Sequence, residues 1–128
     1  MNNNQSKRSV IPIYTTRGDP DAFLVYPYLF NRVGEWIGWV SAERQVYSVL
    51  GIYVGELTAE PRIVRNRITS TLKPRKTSPP RPPNLLVPAT IPLAPLLGDL
   101  RFGLVDVLME QPELLHTTDT GELTLDLD

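Results

Sequence analysis

The sequence predicts an all-β fold, a small closed barrel of tandem β-hairpin repeats with a Pro-rich extended arm and one short C-terminal helix. Three observations predict it. An aromatic residue, a glycine and a small residue recur at four-residue spacing three times between residues 14 and 55. Short apolar runs alternate with turns at intervals too short for helices. The chain has 13 prolines, most of them beyond residue 60, roughly twice the usual share of this residue.

The repeat is seen when three aromatic residues, 16 and then 17 positions apart, are aligned. Each is followed four positions later by a glycine, and four positions after that by alanine or glycine. The repeat residues are Tyr14, Gly18, Ala22, Phe30, Gly34, Gly38, Tyr47, Gly51 and Gly55. One match can arise by chance, but three in phase indicate internal repetition.

Each copy predicts a β-hairpin, because glycine accepts the positive φ that tight turns demand. The returning strands are rich in aromatic and β-branched residues. The predicted strands are Val10–Tyr14, Ala22–Tyr26, Tyr28–Phe30, Trp36–Val40, Val46–Tyr47 and Tyr53–Leu57. The small residue after each turn is expected where strands crowd together. A degenerate fourth unit at Arg62–Arg65 would add a closing strand.

The two tryptophans lie three positions apart in one predicted strand. Since side chains alternate along a strand, Trp36 is expected on the face of Gly38 and Val40, and Trp39 on the opposite face with Ile37. One tryptophan should then be in the core, and the other exposed or at an interface.

Two stretches, Phe30–Val40 and Tyr47–Gly55, resemble the bacterial four-fold β-flower family, whose units read approximately Tyr-x3-Gly-x3-Gly-aromatic-aliphatic. The resemblance covers residues 10–65. It implies a squat, closed arrangement of hairpins about a pseudo-symmetric axis, more distantly similar to Tubby-like and PRC-barrel folds. It brings no established catalytic residues.

The predicted organisation is a disordered N-terminus over residues 1–9, a hairpin barrel over 10–65, a basic Pro-rich linker over 66–84, and an arm, helix and acidic tail over 85–128. The linker segment Lys73–Pro83 favours an extended polyproline II conformation. We interpret it as a semi-rigid spacer; the alternative is a PxxP ligand for an aromatic groove.

The segment Leu85–Leu97 is apolar but interrupted by prolines, so neither a helix nor a central strand fits. An extended arm that packs on its own barrel or on a neighbouring subunit explains both features. Asp99 is the predicted N-cap of a helix over Leu100–Glu110. Its apolar face would contain Phe102, Val105, Leu108 and Met109. The alternating segment Leu123–Leu127 predicts an edge strand or a loose acidic tail.

Charge is sorted along the chain, although the net charge is only −1. Residues 61–98 contain seven basic and no acidic side chains, whereas residues 99–128 contain eight acidic side chains and Arg101. Such asymmetry marks candidate interaction segments; the alternative is that the basic and acidic segments neutralise one another within the protein or across a dimer. The candidate interaction residues are Trp39, Arg62, Arg65, Arg67, Arg75, Lys76, Arg81, Leu93 and Leu96.

Catalysis has little support in the residue inventory. The chain has no cysteine, which excludes disulfides and thiolate chemistry. The only histidine, His116, is expected in an exposed loop, and neither a phosphate-binding loop nor a nucleophile elbow occurs. We therefore predict no catalytic, cofactor or metal site. With no signal peptide and no apolar run of membrane-spanning length, a soluble cytoplasmic protein is expected.

These observations predict a non-enzymatic protein-interaction or scaffold protein that self-associates through its C-terminal arm or binds another protein. The alternative is a module that binds anionic lipid at a membrane surface through the basic segment 62–81. Nucleic-acid binding is not expected, because the arginines follow the barrel in a Pro-rich segment and the protein is slightly acidic overall.

Overall fold

The computed structural model describes residues 9–68 and 73–118. Eight strands form one antiparallel sheet in which each strand pairs with the next along the chain, and the sheet curls into a half-barrel. The strands are β1 Ile11–Tyr14, β2 Pro20–Val25, β3 Tyr28–Phe30, β4 Trp36–Val40, β5 Gln45–Ser48, β6 Tyr53–Leu57, β7 Ile63–Asn66 and β8 Leu104–Asp106. The all-β class predicted from the sequence is confirmed. The predictions for residues 1–8 and for Leu123–Leu127 lie outside the described residues.

Three of the hairpin turns contain a glycine with positive φ: 92° at Gly18, 89° at Gly34 and 81° at Gly51. In the first turn, Thr15 N donates to Asp19 O and Gly18 N donates to Thr15 O, each at 2.8 Å. The other two turns have the same pair of backbone hydrogen bonds. The positions that the sequence assigned to turns are therefore turns, and for the expected physical reason.

The predicted helix over Leu100–Glu110 is wrong in its first part. Residues Leu104–Asp106 extend the sheet as β8, where Val105 is the register partner of Arg65 in β7. The helix α1 is only Val107–Glu110, and a 3-10 turn follows at Pro112–Leu114. Pairing with a strand distant in sequence has overridden the local helical pattern.

The predicted N-cap is also corrected. Asp106, not Asp99, caps α1, and its side chain accepts a hydrogen bond from Met109 N. Phe102, expected on the apolar face of the helix, is fully exposed in the connection before β8.

A β-bulge corrects the placement of the tryptophans. In the β3–β4 ladder Leu29 pairs with Gly38, but Phe30 pairs with Trp36, so Ile37 is an extra residue. The alternation of side chains is broken there. Trp36 and Trp39 consequently lie in one hydrophobic cluster, while Ile37 belongs to the other. The prediction that the tryptophans lie on opposite faces is wrong.

The sheet is apolar on both faces. One face carries the main core, which includes Ile13, Leu29 and Val46 and is closed by Leu108 and Leu115 from the C-terminal segment. The opposite face carries a second cluster, called here the aromatic face. It comprises Val25, Phe30, Trp36, Trp39, Tyr47 and Val49. All five residues of β4 are buried, since both of its faces are covered.

The two ends of the sheet meet through side chains. Within residues 9–68 and 73–118, no ladder joins β1 to β8. Instead Asp106, at the end of β8, accepts hydrogen bonds from Thr16 N and Thr16 Oγ1, each at 2.7 Å. The long connection between β7 and β8 contains residues 73–98. These residues include most of the predicted linker and all of the predicted arm, and from here on the whole segment 73–98 is called the arm.

Candidate functional site

Four aromatic residues form a ladder across the strands β3 to β6. The sheet register pairs Tyr28 with Trp39, Trp39 with Tyr47, and Tyr47 with Tyr53. Trp39 and Tyr47 are stacked with ring centroids 4.7 Å apart, and Tyr53 meets Tyr47 edge-on at 5.9 Å. Cross-strand pairs of this kind stabilise a sheet. They also present a row of ring surfaces, called here the aromatic ladder, on one face.

The arm crosses this ladder by polar contacts at two rungs. Trp39 Nε1 donates to Ser78 Oγ at 2.9 Å, and Ser78 Oγ donates in turn to Val49 O at 2.8 Å. At the next rung, Tyr28 OH donates to Pro80 O at 3.0 Å. The aromatic residues thus provide both apolar surface and hydrogen-bond donors to a segment whose prolines have no N–H of their own.

Lysines of the arm occupy the other two rungs. Lys76 Nζ lies 5.5 Å from the ring centroid of Tyr47, and Lys73 Nζ lies 5.0 Å from that of Tyr53. At exposed sites such cation–π contacts contribute about 0.5–1 kcal/mol each. The arm residues 73, 76, 78 and 80 therefore meet the rungs in order, from β6 to β3.

The arm also contacts the glycine turns. Lys76 N donates to Gly51 O at 3.0 Å, and Leu85 N donates to Gly34 O at 2.8 Å. A Cβ at Gly51 would overlap Lys76 O, and a Cβ at Gly34 would overlap Leu85 O. Glycine is required at these two turns for close approach of the arm as well as for φ.

We expect Gly51→Ala to lift the arm. Gly103 is the control, because its φ is also positive, at 94°, but a Cβ there would meet nothing within 4 Å. Both substitutions should cost about 1–2 kcal/mol of unfolding free energy through backbone strain. Only Gly51→Ala should remove protection from hydrogen exchange at the Lys76 amide. Retained protection in Gly51→Ala would contradict the docking geometry.

Clefts remain where the arm leaves the sheet. A cavity of about 370 Å³ lies between Tyr28, Phe30 and the arm residues 80–86. A second, of about 490 Å³, lies between Phe23, Arg32 and the arm residues Val87 and Ile91. The arm therefore lies against the sheet face but does not fill it.

The predicted interaction residues fall into two groups. Arg62 is buried, donating through Nη1 to Gly98 O at 2.8 Å and pairing through Nη2 with Glu60 at 3.1 Å. Arg65 Nη1 donates to Val54 O at 2.8 Å, and Arg67 pairs with Glu110. These three arginines are engaged within the protein.

The remaining predicted residues lie on or under the arm. Trp39 belongs to the ladder and is only 8% exposed, so the arm covers it. Arg75, Lys76 and Arg81 are exposed on the arm. Leu93 and Leu96 are 95% and 102% exposed. The structure brings Trp39 and Lys76 to one site and leaves the two leucines without a partner among the described residues.

Sequence reasoning missed Lys73, Ser78, Tyr28 and Tyr53. Ser78 had no distinguishing feature in a Pro-rich segment that also contains Ser70 and Thr77. The rungs could be recognised only once the bulged register was known. No signal in the sequence alone distinguishes these four residues from their neighbours.

The segment that follows β8 lines a further cavity. Its volume is about 360 Å³, and Asp21, Arg32 and His116 are among its lining residues. Burial raises the pKa of Asp21, and Arg32 opposes this effect. His116 is half-buried, with Nδ1 3.1 Å from Thr117 O. No group of three acidic or histidine side chains in the described part of the chain could hold a metal ion.

Tyr53 gives the ladder an alkaline pH dependence. Burial, together with the hydrogen bond that Tyr53 OH donates to Glu56, raises the pKa of Tyr53 to about 12. Its ordinary value is about 10, so the folded state holds the proton more tightly. This contribution to stability is complete below pH 10 and is lost as pH rises from about 10 to about 12.

Tyr53→Phe should therefore make the decline of unfolding free energy between pH 10 and 12 less steep. Urea unfolding across this range measures the decline. Tyr26→Phe, which removes a phenol from an exposed position, is the control and should leave the slope as in the wild type. An unchanged slope in Tyr53→Phe would show that its phenol is solvated in the folded protein.

The aromatic ladder, the glycine turns and the arm make up the candidate site. It combines ring surfaces, indole and phenol donors and backbone carbonyls, which are the groups that hold an extended polypeptide. Among the described residues, no helix is both long and apolar enough to cross a membrane. Comparison of the chain with protein-family models, with curated proteins and with solved structures finds no match.

Proposed function

We propose that this chain is a non-enzymatic protein-interaction module whose aromatic ladder binds an extended, Pro-rich basic segment. The single observation that carries the proposal is the rung-by-rung match between ladder and arm. Tyr53, Tyr47, Trp39 and Tyr28 each contact one arm residue, in the order 73, 76, 78 and 80. The arm occupies the site in the structure, and a second polypeptide of the same chemistry is the proposed ligand.

The contacts support this reading because they match a known mode of peptide recognition. Polyproline II segments dock on aromatic-lined grooves, since they lose little conformational entropy on binding. A tryptophan N–H donor and a tyrosine O–H donor then fix the segment by its acceptors, as Ser78 Oγ and Pro80 O are fixed here. The Pro-rich segment has the role of a ligand in this proposal, rather than of the spacer favoured from the sequence.

We extend the proposal to the arrangement of the hairpins. In each of the hairpins β1–β2, β3–β4 and β5–β6, one residue is left without a register partner by a shift in register. These residues are Asp21, Ile37 and Val54, one in each copy of the sequence repeat. Gly103 precedes β8 with the same positive φ as the other turn glycines. We propose a β-flower-like arrangement of four hairpins, in which the arm is an insertion in the turn of the fourth, β7–β8. This would explain why the arm starts and ends at the edge that carries the turns.

The test uses full-length protein, because β8 and Leu115 follow the arm and belong to the sheet and core. The variant Lys76→Ala, Ser78→Ala removes contacts of two rungs from the chain's own arm. A fluorescent peptide with the sequence of residues 73–86 should bind this variant at least tenfold more tightly than it binds wild type. In the wild type the tethered arm competes at an effective concentration of the order of millimolar.

The matched control is Arg75→Ala, Thr77→Ala, which removes the same kinds of group from exposed neighbouring positions. It should bind the peptide no better than wild type does. Failure of the peptide to bind the loosened variant, with its arm shown to be released by hydrogen exchange, would contradict the proposed function.

Self-association through the arm is part of this proposal. Leu86, Leu93 and Leu96 are each more than 90% exposed on the arm, and exposed apolar rows mark contact surfaces. Light scattering after size-exclusion chromatography should find an oligomer for the full chain and a monomer for Leu93→Ser, Leu96→Ser. A monomeric wild-type chain would contradict self-association and leave only the binding of another protein.

A membrane surface is the second candidate, favoured by one observation. Arg75, Lys76 and Arg81 are exposed on the same arm as the exposed leucines, and each such cation is worth about 1 kcal/mol near anionic lipid. Arg75→Glu, Arg81→Glu should abolish co-sedimentation with phosphatidylserine vesicles. Equal sedimentation with phosphatidylserine and with phosphatidylcholine vesicles would exclude this candidate.

A further inference from the structure

The arm donates backbone hydrogen bonds to two of the glycine turns from positions nine residues apart. Lys76 and Leu85 donate their backbone N–H to Gly51 and Gly34. Nine residues further on, the Cβ of Ala94 lies 3.6 Å from the place that a Cβ at Gly18 would occupy. The arm therefore has hydrogen-bonded turn contacts at positions 76 and 85, and Ala94 lies beside the third turn.

A proline precedes each contact by two positions: Pro74, Pro83 and Pro92. The two residues that donate to a turn glycine must themselves be other than proline, because proline has no N–H. A proline two positions earlier fixes φ and keeps the chain extended as it approaches the turn. The same pattern, Pro-x-Xaa with Xaa not proline, also begins at Pro79, Pro82, Pro88 and Pro95. It therefore keeps the arm extended throughout, and the backbone N–H groups at positions 76 and 85 are what match the turns.

The interval is longer than the turns require. Neighbouring glycine turns are two strands apart, about 10 Å, whereas nine extended residues span about 28 Å. The chain must leave the row of turns and return within each interval. The first excursion carries Ser78 to Trp39 and Pro80 to Tyr28, and the second carries Pro92 O to Tyr14 OH at 2.7 Å. The nine-residue interval therefore reflects the length of chain that crosses the sheet face and returns, and not the distance between neighbouring turns.

The three positions also differ in chemistry. At the first, Lys76 has its ammonium over Tyr47. At the second, Val87 packs 3.4 Å from the place of a Gly34 Cβ, so apolar residues follow the contact. At the third, the contact residue is the small Ala94. A ligand in this orientation is basic at its start, apolar in the middle and small at its end.

We propose that the glycine turns are a row of peptide subsites that select extended, Pro-rich polypeptides whose backbone N–H donors to the first two turns are nine residues apart. The proposal rests on the proposed function and adds the spacing rule. In this chain the arm satisfies the rule in cis. A polypeptide with the same spacing, including the arm of a second copy, would satisfy it in trans.

The experiment compares three peptides on the full-length Lys76→Ala, Ser78→Ala protein by fluorescence anisotropy. One has the sequence of residues 73–96. The second has an alanine inserted after Arg81, and the third lacks Arg81, an exposed residue between the first two subsites. The native spacing should bind about tenfold more tightly than either shifted peptide, which is the loss expected for one turn hydrogen bond.

The outcomes separate the two proposals. Equal binding of all three peptides would overturn the spacing rule and leave the proposed function intact. Absence of binding by every peptide to a protein whose arm is released would overturn both. The same insertion placed in the arm of the full chain gives a second readout. Hydrogen exchange should then show loss of protection at the Lys76 or the Leu85 amide, and retained protection at both would overturn the rule.

Discussion

Gly38→Ala is expected to destabilise the protein by about 3 kcal/mol, a large part of the 5–15 kcal/mol typical of a domain. A Cβ at Gly38 would lie 2.5 Å from Tyr47 O and 2.8 Å from Leu115 Cδ2. The first atom is backbone of the neighbouring strand, which cannot move without breaking ladder hydrogen bonds. The second belongs to the core.

The control for this substitution is Gly98→Ala. A Cβ at Gly98 would meet no heavy atom within 4 Å, and the φ of Gly98 is not positive. The unfolding free energy of this variant should therefore stay within about 0.5–1 kcal/mol of wild type. Urea denaturation measures both variants. A Gly38→Ala protein as stable as Gly98→Ala would mean that β4 and β5 are not packed as described.

Asp106→Ala should have an effect of similar size. The carboxylate is 2% exposed and accepts from Thr16 N and Thr16 Oγ1 at 2.7 Å, and from Met109 N at 3.4 Å. Its removal leaves the Thr16 donors without their acceptor at the junction of β1 and β8 and uncaps α1. Hydrogen bonds to charged groups are worth about 1.5–3 kcal/mol, so a loss of about 3 kcal/mol is expected.

Asp99→Ala is the matched control for Asp106→Ala. The sequence assigns the helix cap to Asp99, yet this residue is exposed and precedes the sheet strand β8. Its substitution should change the unfolding free energy by no more than about 0.5 kcal/mol. If Asp99→Ala lost more unfolding free energy than Asp106→Ala, the result would contradict the structure and support the helix over Leu100–Glu110 that the sequence predicts.

The parts of the fold that could be predicted depend on local chemistry. A glycine with positive φ is needed within each turn, so Gly18, Gly34 and Gly51 locate three hairpins without knowledge of the rest of the chain. The apolar runs between these turns gave the bounds of β3, β4 and β6, whereas the predicted ends of β1, β2 and β5 differ from the structure by one or two residues. β8 was missed because its residues have no strand pattern of their own and are extended through pairing with β7.

The candidate site was only partly predictable, because it depends on register and on contacts distant in sequence. The extra residue Ile37 places Trp39 on the face of Trp36, and no alternation rule could show this. The basic segment was recognised as one patch, but folding divides it. Arg62 is buried and donates hydrogen bonds within the protein, whereas Arg75 is exposed. Only the folded chain shows which cations remain available.

Hydrogen exchange of the two indole N–H groups, followed by NMR on the full chain, tests most directly whether the arm is held on the aromatic ladder. Trp39 Nε1 donates to Ser78 Oγ, whereas Trp36 Nε1 donates to Gly38 O within its own strand and serves as an internal reference. In Ser78→Ala the Trp39 indole should exchange at least about tenfold faster, with Trp36 unchanged. Thr77→Ala should leave both at the wild-type rate. Equal rates for Trp39 in wild type and Ser78→Ala would contradict the account.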